Sequence, residues 1–294
     1  KIRKADNGNL YDPRMGPNNN KTLCTTCGQN NIQCPGHFGY IELERKVVHP
    51  KFASTILSIL KCICYKCSKT LIPLEHVMLL HEQNTDILKW IIEESKKNKS
   101  CLHCQASVIN WEYHEGHFYR SFNDKKNEMD IDNIYDILRK ISDETLYVFG
   151  FNKNLSNHPL YTNTSTFISG NVKHRHQIRP EWMIFTAFPV APPCVRPCIS
   201  PTNDEKQDDD LTDKYINIFK SNEKLRKSRT SNIILSSQSN RKNVKLNEVD
   251  RKKEEQRLID EISSMFDNKE GKSVLIGGRP HKCIRERLVG KEGH

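Results

Sequence analysis

The sequence predicts a mixed α+β chain of short helices, small strands and long loops that is cross-linked by metal. Three observations lead there. Only 36 % of the 294 residues are apolar, enough for compact cores in one large or two ordinary domains but not for an all-buried chain. Helix-period apolar stripes are short and separated by irregular stretches of Gly, Pro, Asn and Ser. Eight of the eleven cysteines fall between Cys24 and Cys104. With no charged-then-apolar leader, that usage argues against a secreted disulfide framework and for metal, zinc by default, in a reducing compartment.

In chain order, residues 1–49 read as loops and short strands around close-set Cys, Gly and Pro, too irregular to bury a core without an internal cross-link. A helix fits 50–61, with Pro50 at its start and Phe52, Ile56, Ile59 and Leu60 at helical spacing. Thr85 caps a second helix through Lys97, with Ile87, Leu88, Ile91 and Ile92 on its inner face. The run from Trp111 to His117 reads as a strand and turn. Residues 130–149 hold two short helices, one starting near Asp130 and carrying Ile134, Ile137, Leu138 and Ile141, the other capped by Ser142 and closed by Gly150. Residues 152–178 turn to Asn, Ser, Thr and His and read as a loop or insertion.

Trp182 to Phe188 reads as a buried strand ending at Pro189, and Pro192, Pro193 and Pro197 then enforce an extended path. Thr212 caps a helix bearing Tyr215, Ile216, Phe219 and Leu225, with Asp208, Asp209 and Asp210 favourably placed at its N-terminus. Residues 224–247 are basic, Ser/Asn-rich and expected to be mobile. A charged helix over 247–267, with Leu258, Ile259, Ile262, Met265 and Phe266 as its apolar end, is expected to lie on a surface. The divisions are therefore a metal-binding module over 1–150, a loop or insertion over 151–180, a strand and helix over 181–226, a basic segment and charged helix over 227–270, and a basic segment over 271–294. Apolar runs are far shorter than the roughly 20 residues that cross a bilayer, so no membrane is expected.

Two constellations carry the metal chemistry. Cys24 and Cys27 form one tight turn and Cys34 and His37 a second, offering three thiolates and one imidazole to a tetrahedral ion. Cys64 and Cys67 pair with Cys101 and Cys104 as a four-sulfur set. Neither leaves a position open for water, so both zinc ions would be structural. Cys101 and Cys104 with His114 and His117 form a second-ranked set, which strands Cys64 and Cys67. Cys62 packs as a small hydrophobe, and Cys194, Cys198 and Cys283 are not ligands. A third feature is basic: Arg279, Lys282, Arg285, Arg287 and Lys291 place five cations in thirteen residues beside Gly290, within a chain of net charge +10. Cations on a glycine-bounded segment suit sequence-independent contacts to phosphate.

These residues carry a resemblance. N-L-Y-D-P-R-M-G followed by C-x2-C-x6-C-P-G-H-F-G-Y-I-E-L resembles the start of the largest subunit of eukaryotic-type multisubunit DNA-dependent RNA polymerases. L-K-C-I-C-Y-K-C-S-K-T-L-I, R-P-E-W-M-I-F-T-A-F-P-V-A-P-P-C-V-R-P, D-D-D-L-T-D-K-Y-I-N-I-F-K-S-N and G-G-R-P-H-K-C-I-R-E-R-L-V-G-K-E-G agree in the same order, leaving about 152–178 and 227–270 unmatched. The R-P-E-W-M form looks most like RNA polymerase II.

The resemblance implies that residues 1–150 form much of the clamp that closes over DNA, that 189–203 correspond to the lid and residues near 265–278 to the rudder, and that 279–293 enter the switch that contacts template phosphates. It implies template DNA, the RNA–DNA hybrid, and the second-largest and smaller subunits as partners. It also implies an intracellular site, the nucleus for a cellular enzyme, the virion or host cytoplasm for a viral one. The insertion at 152–178, His294 where an arginine usually follows K-E-G, and the Lys/Asn-rich composition leave a large DNA virus or a divergent protist open as the source. Both chain ends read as truncations of a larger subunit. The aspartates of the family's N-A-D-F-D-G-D motif, which hold catalytic Mg2+, do not occur here, so no catalytic residue is expected in the chain itself. A stand-alone zinc-finger protein would show a recognition-helix pattern after its cysteines, and a ubiquitin-ligase ring eight interleaved ligands. The sequence has neither.

Overall fold

The computed structural model describes residues 8–19, 21–73, 76, 87–122, 125–151, 178–198, 208–234, 248–269, 271, 273, 274 and 278–289. The chain forms two compact units. One joins Lys1–Lys46 to Thr186–His294, and the other is Val47–Phe185. The divisions drawn from the sequence follow motifs along the chain, whereas these units group residues by contact. Strands β1 (Gly39–Val48) and β5 (Ile184–Val190) pair as a two-stranded sheet.

The unit Val47–Phe185 has a main apolar core and a smaller one around Cys64, Leu71 and Cys101. A 3-10 turn over Pro50–Phe52 leads into α1 (Ala53–Cys62), whose Ala53, Ile56, Ile59 and Leu60 recur at helical spacing and are buried. Helix α2 (Ile87–Ser95) packs on α1 through the buried Ile91; the expected cap, Thr85, lies outside the described residues. Strands β2 (Asn110–His114), β3 (His117–Phe122) and β4 (Lys125–Met129) form an antiparallel sheet with Trp111 opposite Arg120 and Phe118 opposite Met129. The two-residue turn between β2 and β3 places Glu115 and Gly116 at φ +48° and +92°, the paired positive values that match the twist of a hairpin. The Asp130 carboxylate accepts from the Asp132 amide to cap α3 (Ile131–Arg139), which buries Ile131, Ile134, Ile137 and Leu138. Ser142 Oγ accepts from Thr145 N at the start of α4 (Asp143–Val148), and Gly150 closes it at φ +90°.

The expected strand at 182–188 begins later than its apolar run. Pro180–Met183 winds into a 3-10 turn that leaves Trp182 60 % exposed, and β5 alternates, burying Ile184, Phe188 and Val190. Pro189 is tolerated because, among the described residues, β5 pairs on one side only.

In the other unit, α5 (Asp210–Ile234) and α6 (Glu248–Phe266) pack together. Lys214 reaches Ser264 while Lys224 reaches Glu254, so the helices run antiparallel. This corrects two sequence expectations. Residues 224–234 continue α5, because Leu225 and Ser228 are buried and Lys, Arg and Ser are acceptable helix residues. The apolar end of α6 is also buried at Leu258, Ile259, Ile262 and Met265, a stripe covered by a partner helix rather than laid on a surface. A third correction concerns the cap of α5. Asp209 Oδ1 accepts from Leu211 N, whereas Thr212 is fully buried and accepts from Arg196. Residues 152–177 and 235–247 lie outside the described residues.

The proline run is not wholly extended either, since Pro193–Val195 makes a 3-10 turn that delivers Arg196 to the interior. Its Nε donates to Ala191 O, and its terminal nitrogens donate to Thr212 Oγ1 and Leu10 O. The guanidinium lies over the rings of Tyr11 and Tyr215, at 5.2 and 5.7 Å from their centroids, which offsets part of its desolvation. Among the described residues no helix is long and apolar enough to cross a membrane.

Candidate metal centres and a basic segment

The first cluster grows from two tight turns. Cys24 N donates to Gln29 O, Gly28 N donates to Cys24 O, and Gly28 takes φ +72°. The second turn carries Gly36 at φ +81°, and His37 N donates to Met15 O. The ligand atoms of Cys24, Cys27, Cys34 and His37 all lie within 4.8 Å of one another. Cys27 Sγ is 3.6 Å from Cys34 Sγ, which is 3.7 Å from His37 Nε2. Zinc–sulfur bonds of about 2.3 Å in a tetrahedron give an edge of about 3.8 Å, so the donor set fits the ion.

The second cluster repeats the same turn twice. Cys64 N donates to Lys69 O and Ser68 N to Cys64 O; Cys101 N donates to Ala106 O and Gln105 N to Cys101 O. Ser68 and Gln105 occupy the left-handed region at φ +56° and +59°, the place Gly28 holds in the first cluster. The thiols of Cys64, Cys67, Cys101 and Cys104 lie within 4.8 Å of one another, with Cys64 to Cys104 at 3.5 Å and Cys67 to Cys101 at 3.7 Å. Backbone N–H groups aim at the sulfurs from Lys66 and His103, the usual support for thiolate charge.

The turns perturb their thiols. Burial raises the Cys24 thiol, but the backbone amides of Cys27 and Thr26, together with the neighbouring Cys27 and Cys34 thiols, outweigh it and bring it down to about 6. The Ala106 amide brings Cys104 down to about 7. Burial pushes both Cys62 and the cluster thiol Cys64 up to about 12, so titration does not separate them; Cys62 is set apart because it lies outside both clusters and donates to Leu88 O, as a packed thiol does. His114 and His117 are in neither cluster, and His117 Nδ1 lies 2.7 Å from Glu128 Oε1. Cys194, Cys198 and Cys283 also fall outside both. Cys194 nevertheless bears on the first cluster. A Cβ added at Gly36 would sit 2.6 Å from Cys194 Sγ and 2.7 Å from Pro192 Cγ, so the proline turn packs directly on the second knuckle.

The four described cations of the basic segment lie near the N-terminus of α5. Arg279 Nη2 bonds Asp210 Oδ1 at 2.9 Å, and the Lys282 amide bonds the other oxygen of Asp210 at 2.8 Å. Arg287 Nη2 bonds Asp209 Oδ1 at 2.7 Å, and Arg285 Nη1 bonds Asp267 Oδ2 at 2.9 Å. A short helix, α7 (Ile284–Leu288), carries the last two arginines, and Glu286 accepts from Cys283 N at its start. Lys291 lies outside the described residues. The sequence placed Asp209 and Asp210 at a helix N-terminus but gave no sign that they also hold these arginines, a pairing 69 to 78 residues apart.

The family described as RNA polymerase Rpb1, domain 1, matches residues 1–161 and 164–294. The chain belongs to that family. Its curated relatives include the DNA-directed RNA polymerase subunit Rpo1N of Methanocaldococcus jannaschii, 29 % identical over 305 residues, which covers 97 % of this chain and 20 % of the relative. The Rpo1N of Methanothermobacter thermautotrophicus strain Delta H is 29 % identical over 321 residues, covering 98 % of this chain and 30 % of the relative. The DNA-directed RNA polymerase II subunit RPB1 of Euplotoides octocarinatus is 29 % identical over 315 residues, covering 97 % of this chain and 58 % of the relative. The chain thus spans between about a fifth and somewhat over half of the length of these relatives and corresponds to the amino-terminal part of the largest polymerase subunit.

Proposed function

We propose that the chain is the clamp portion of the largest subunit of a DNA-directed RNA polymerase, holding template DNA and the RNA–DNA hybrid during transcription. Nucleotidyl transfer, with its Mg2+, belongs to other parts of the enzyme. The observation that carries this reading is the family match across the same residues that hold both metal clusters and the basic segment. Residues 1–150 make up much of the clamp, 189–203 the lid, 265–278 the rudder and 279–293 the switch. The second-largest and smaller subunits are its protein partners, and its site is intracellular.

On this reading Cys24, Cys27, Cys34 and His37 hold one zinc ion and Cys64, Cys67, Cys101 and Cys104 a second. Each ion supplies a rigid cross-link where the backbone is mostly turns. Arg279, Lys282, Arg285, Arg287 and Lys291 contact template phosphates, which the planar guanidinium fork suits geometrically. The test is DNA binding by fluorescence anisotropy across a salt series. Arg279→Ala with Arg287→Ala should weaken binding alike on unrelated sequences and reduce the salt slope by about one per lost contact. A loss confined to one sequence sinks the phosphate reading.

A further inference from the structure

The arginines assigned to phosphate already have anionic partners. Asp210 grips the segment twice, with one oxygen on the Arg279 guanidinium and the other on the Lys282 amide. Asp209 holds Arg287, and the same oxygen accepts from Leu211 N at the start of α5. The two carboxylates are therefore fixed by the helix they begin, with side chains only 15 % and 9 % exposed, while Arg287 and Arg279 are 29 % and 54 % exposed. Carboxylate and phosphodiester oxygens present the same acceptor geometry to a guanidinium, so the two cannot both use the same N–H groups.

Resting on the reading of this segment as a phosphate contact, we infer that Asp209 and Asp210 are an internal phosphate mimic that latches the Arg279–Arg287 segment onto the N-terminus of α5. A nucleic-acid backbone engages these arginines by displacing the carboxylates. The latch holds the segment folded before DNA arrives and sets a cost that every engagement must meet, so the apparent affinity is that of the unlatched segment reduced by its population. Partly exposed ion pairs of this kind are worth roughly a two- to five-fold factor each.

Asp209→Asn and Asp210→Asn each keep an acceptor oxygen for the backbone amide, and Asn caps helices about as well as Asp, so α5 should fold. Each should tighten binding of the 294-residue chain to a fluorescein-labelled DNA oligonucleotide about two- to five-fold, and the double variant at least as much as the stronger single, since adjacent positions holding one segment are coupled. Glu286→Gln is the control. It removes a negative charge from the basic segment itself and keeps an acceptor for Cys283 N, but releases neither Arg279 nor Arg287. If Glu286→Gln tightens binding as much as the aspartate variants do, general charge explains the effect and the latch is wrong. If the aspartate variants bind like wild type while Arg279→Ala and Arg287→Ala weaken binding, the latch fails and the phosphate reading stands. If the arginine variants bind DNA as wild type does, the phosphate reading fails and takes the latch with it.

Discussion

Replacing Gly36 by Ala tests whether the first metal knuckle is built against the proline turn. Gly28 and Gly36 both take positive φ, +72° and +81°, but their surroundings differ. Nothing lies within 4 Å of a Cβ at Gly28, whereas one at Gly36 meets Cys194 Sγ at 2.6 Å and Pro192 carbons at 2.7 and 2.8 Å. Gly28→Ala therefore costs only the left-handed conformation, about 1–2 kcal/mol. Gly36→Ala adds an overpacking cost of about 1–3 kcal/mol, for a sum of about 2–5 kcal/mol. Because such a knuckle folds with its metal, the cost should appear as weaker zinc retention, tenfold per 1.4 kcal/mol. Titration of the zinc-loaded chain with a chromophoric chelator should show one zinc released roughly 5- to 30-fold more easily in Gly28→Ala and roughly 30-fold or more in Gly36→Ala. The four-sulfur cluster, which belongs to the other unit, is the internal reference. Equal release from the two variants would refute the claim that the proline turn braces the knuckle.

Two further outcomes follow from the site geometry. Metal analysis should find two zinc ions in the wild-type chain, one in Cys67→Ser and two in Cys62→Ser, since Cys67 lies in the four-sulfur cluster and Cys62 only donates to a carbonyl; loss of metal from Cys62→Ser would put the ligand assignment in error. Burial, seconded by Lys214, holds His281 below its ordinary 6.5 against the opposing pull of Asp210 and Asp213. The unfolded chain then binds the proton first as pH falls, so stability is full above about 6.5 and declines below it toward the folded value. The drop in denaturant midpoint between about pH 7.5 and about pH 5.5 should be smaller in His281→Gln than in wild type, and an identical drop removes His281 from the account.

The helices of the Val47–Phe185 unit were legible because their burial is one-sided. Ile56, Ile59 and Leu60, then Ile134, Ile137 and Leu138, repeat at helical spacing and are all buried. The ligand residues were equally legible, since C-x2-C spacing is written into the chain. The backbone that presents them was only half so. Gly28 announces a left-handed residue after its knuckle, but Ser68 and Gln105 fill the same place without a glycine to mark it. The reach of α5 was lost for another reason. Beyond Leu225 its burial rests on residues such as Ser228, which carry no apolar period to read. Long-range polar pairing was illegible altogether. Arg196 sits in a run of prolines that reads as extended, yet it is fully buried against Tyr11 and Tyr215.

Exposure divides the cations of this unit into two kinds, and the division bears on function. Arg196 and Lys214 are wholly buried and hold buried partners, mostly backbone: Ala191 O, Leu10 O and Thr212 Oγ1 for the first, Ser264 O and Oγ for the second. Burial depresses both groups, yet a partner withdrawn from either would leave a desolvated donor unpaired, at a cost of several kcal/mol. These cations cannot exchange partners with a ligand. Arg279, Arg285 and Arg287 are bound to carboxylates at similar distances but remain in reach of solvent, so water can cover the change while one anion replaces another. The proposed latch, a segment folded before a polyanion arrives and still free to hold it, would need the second kind at its surface and the first kind beneath. Lys214 on α5, two turns or fewer from Asp209 and Asp210, supplies the fixed layer under the exchangeable one.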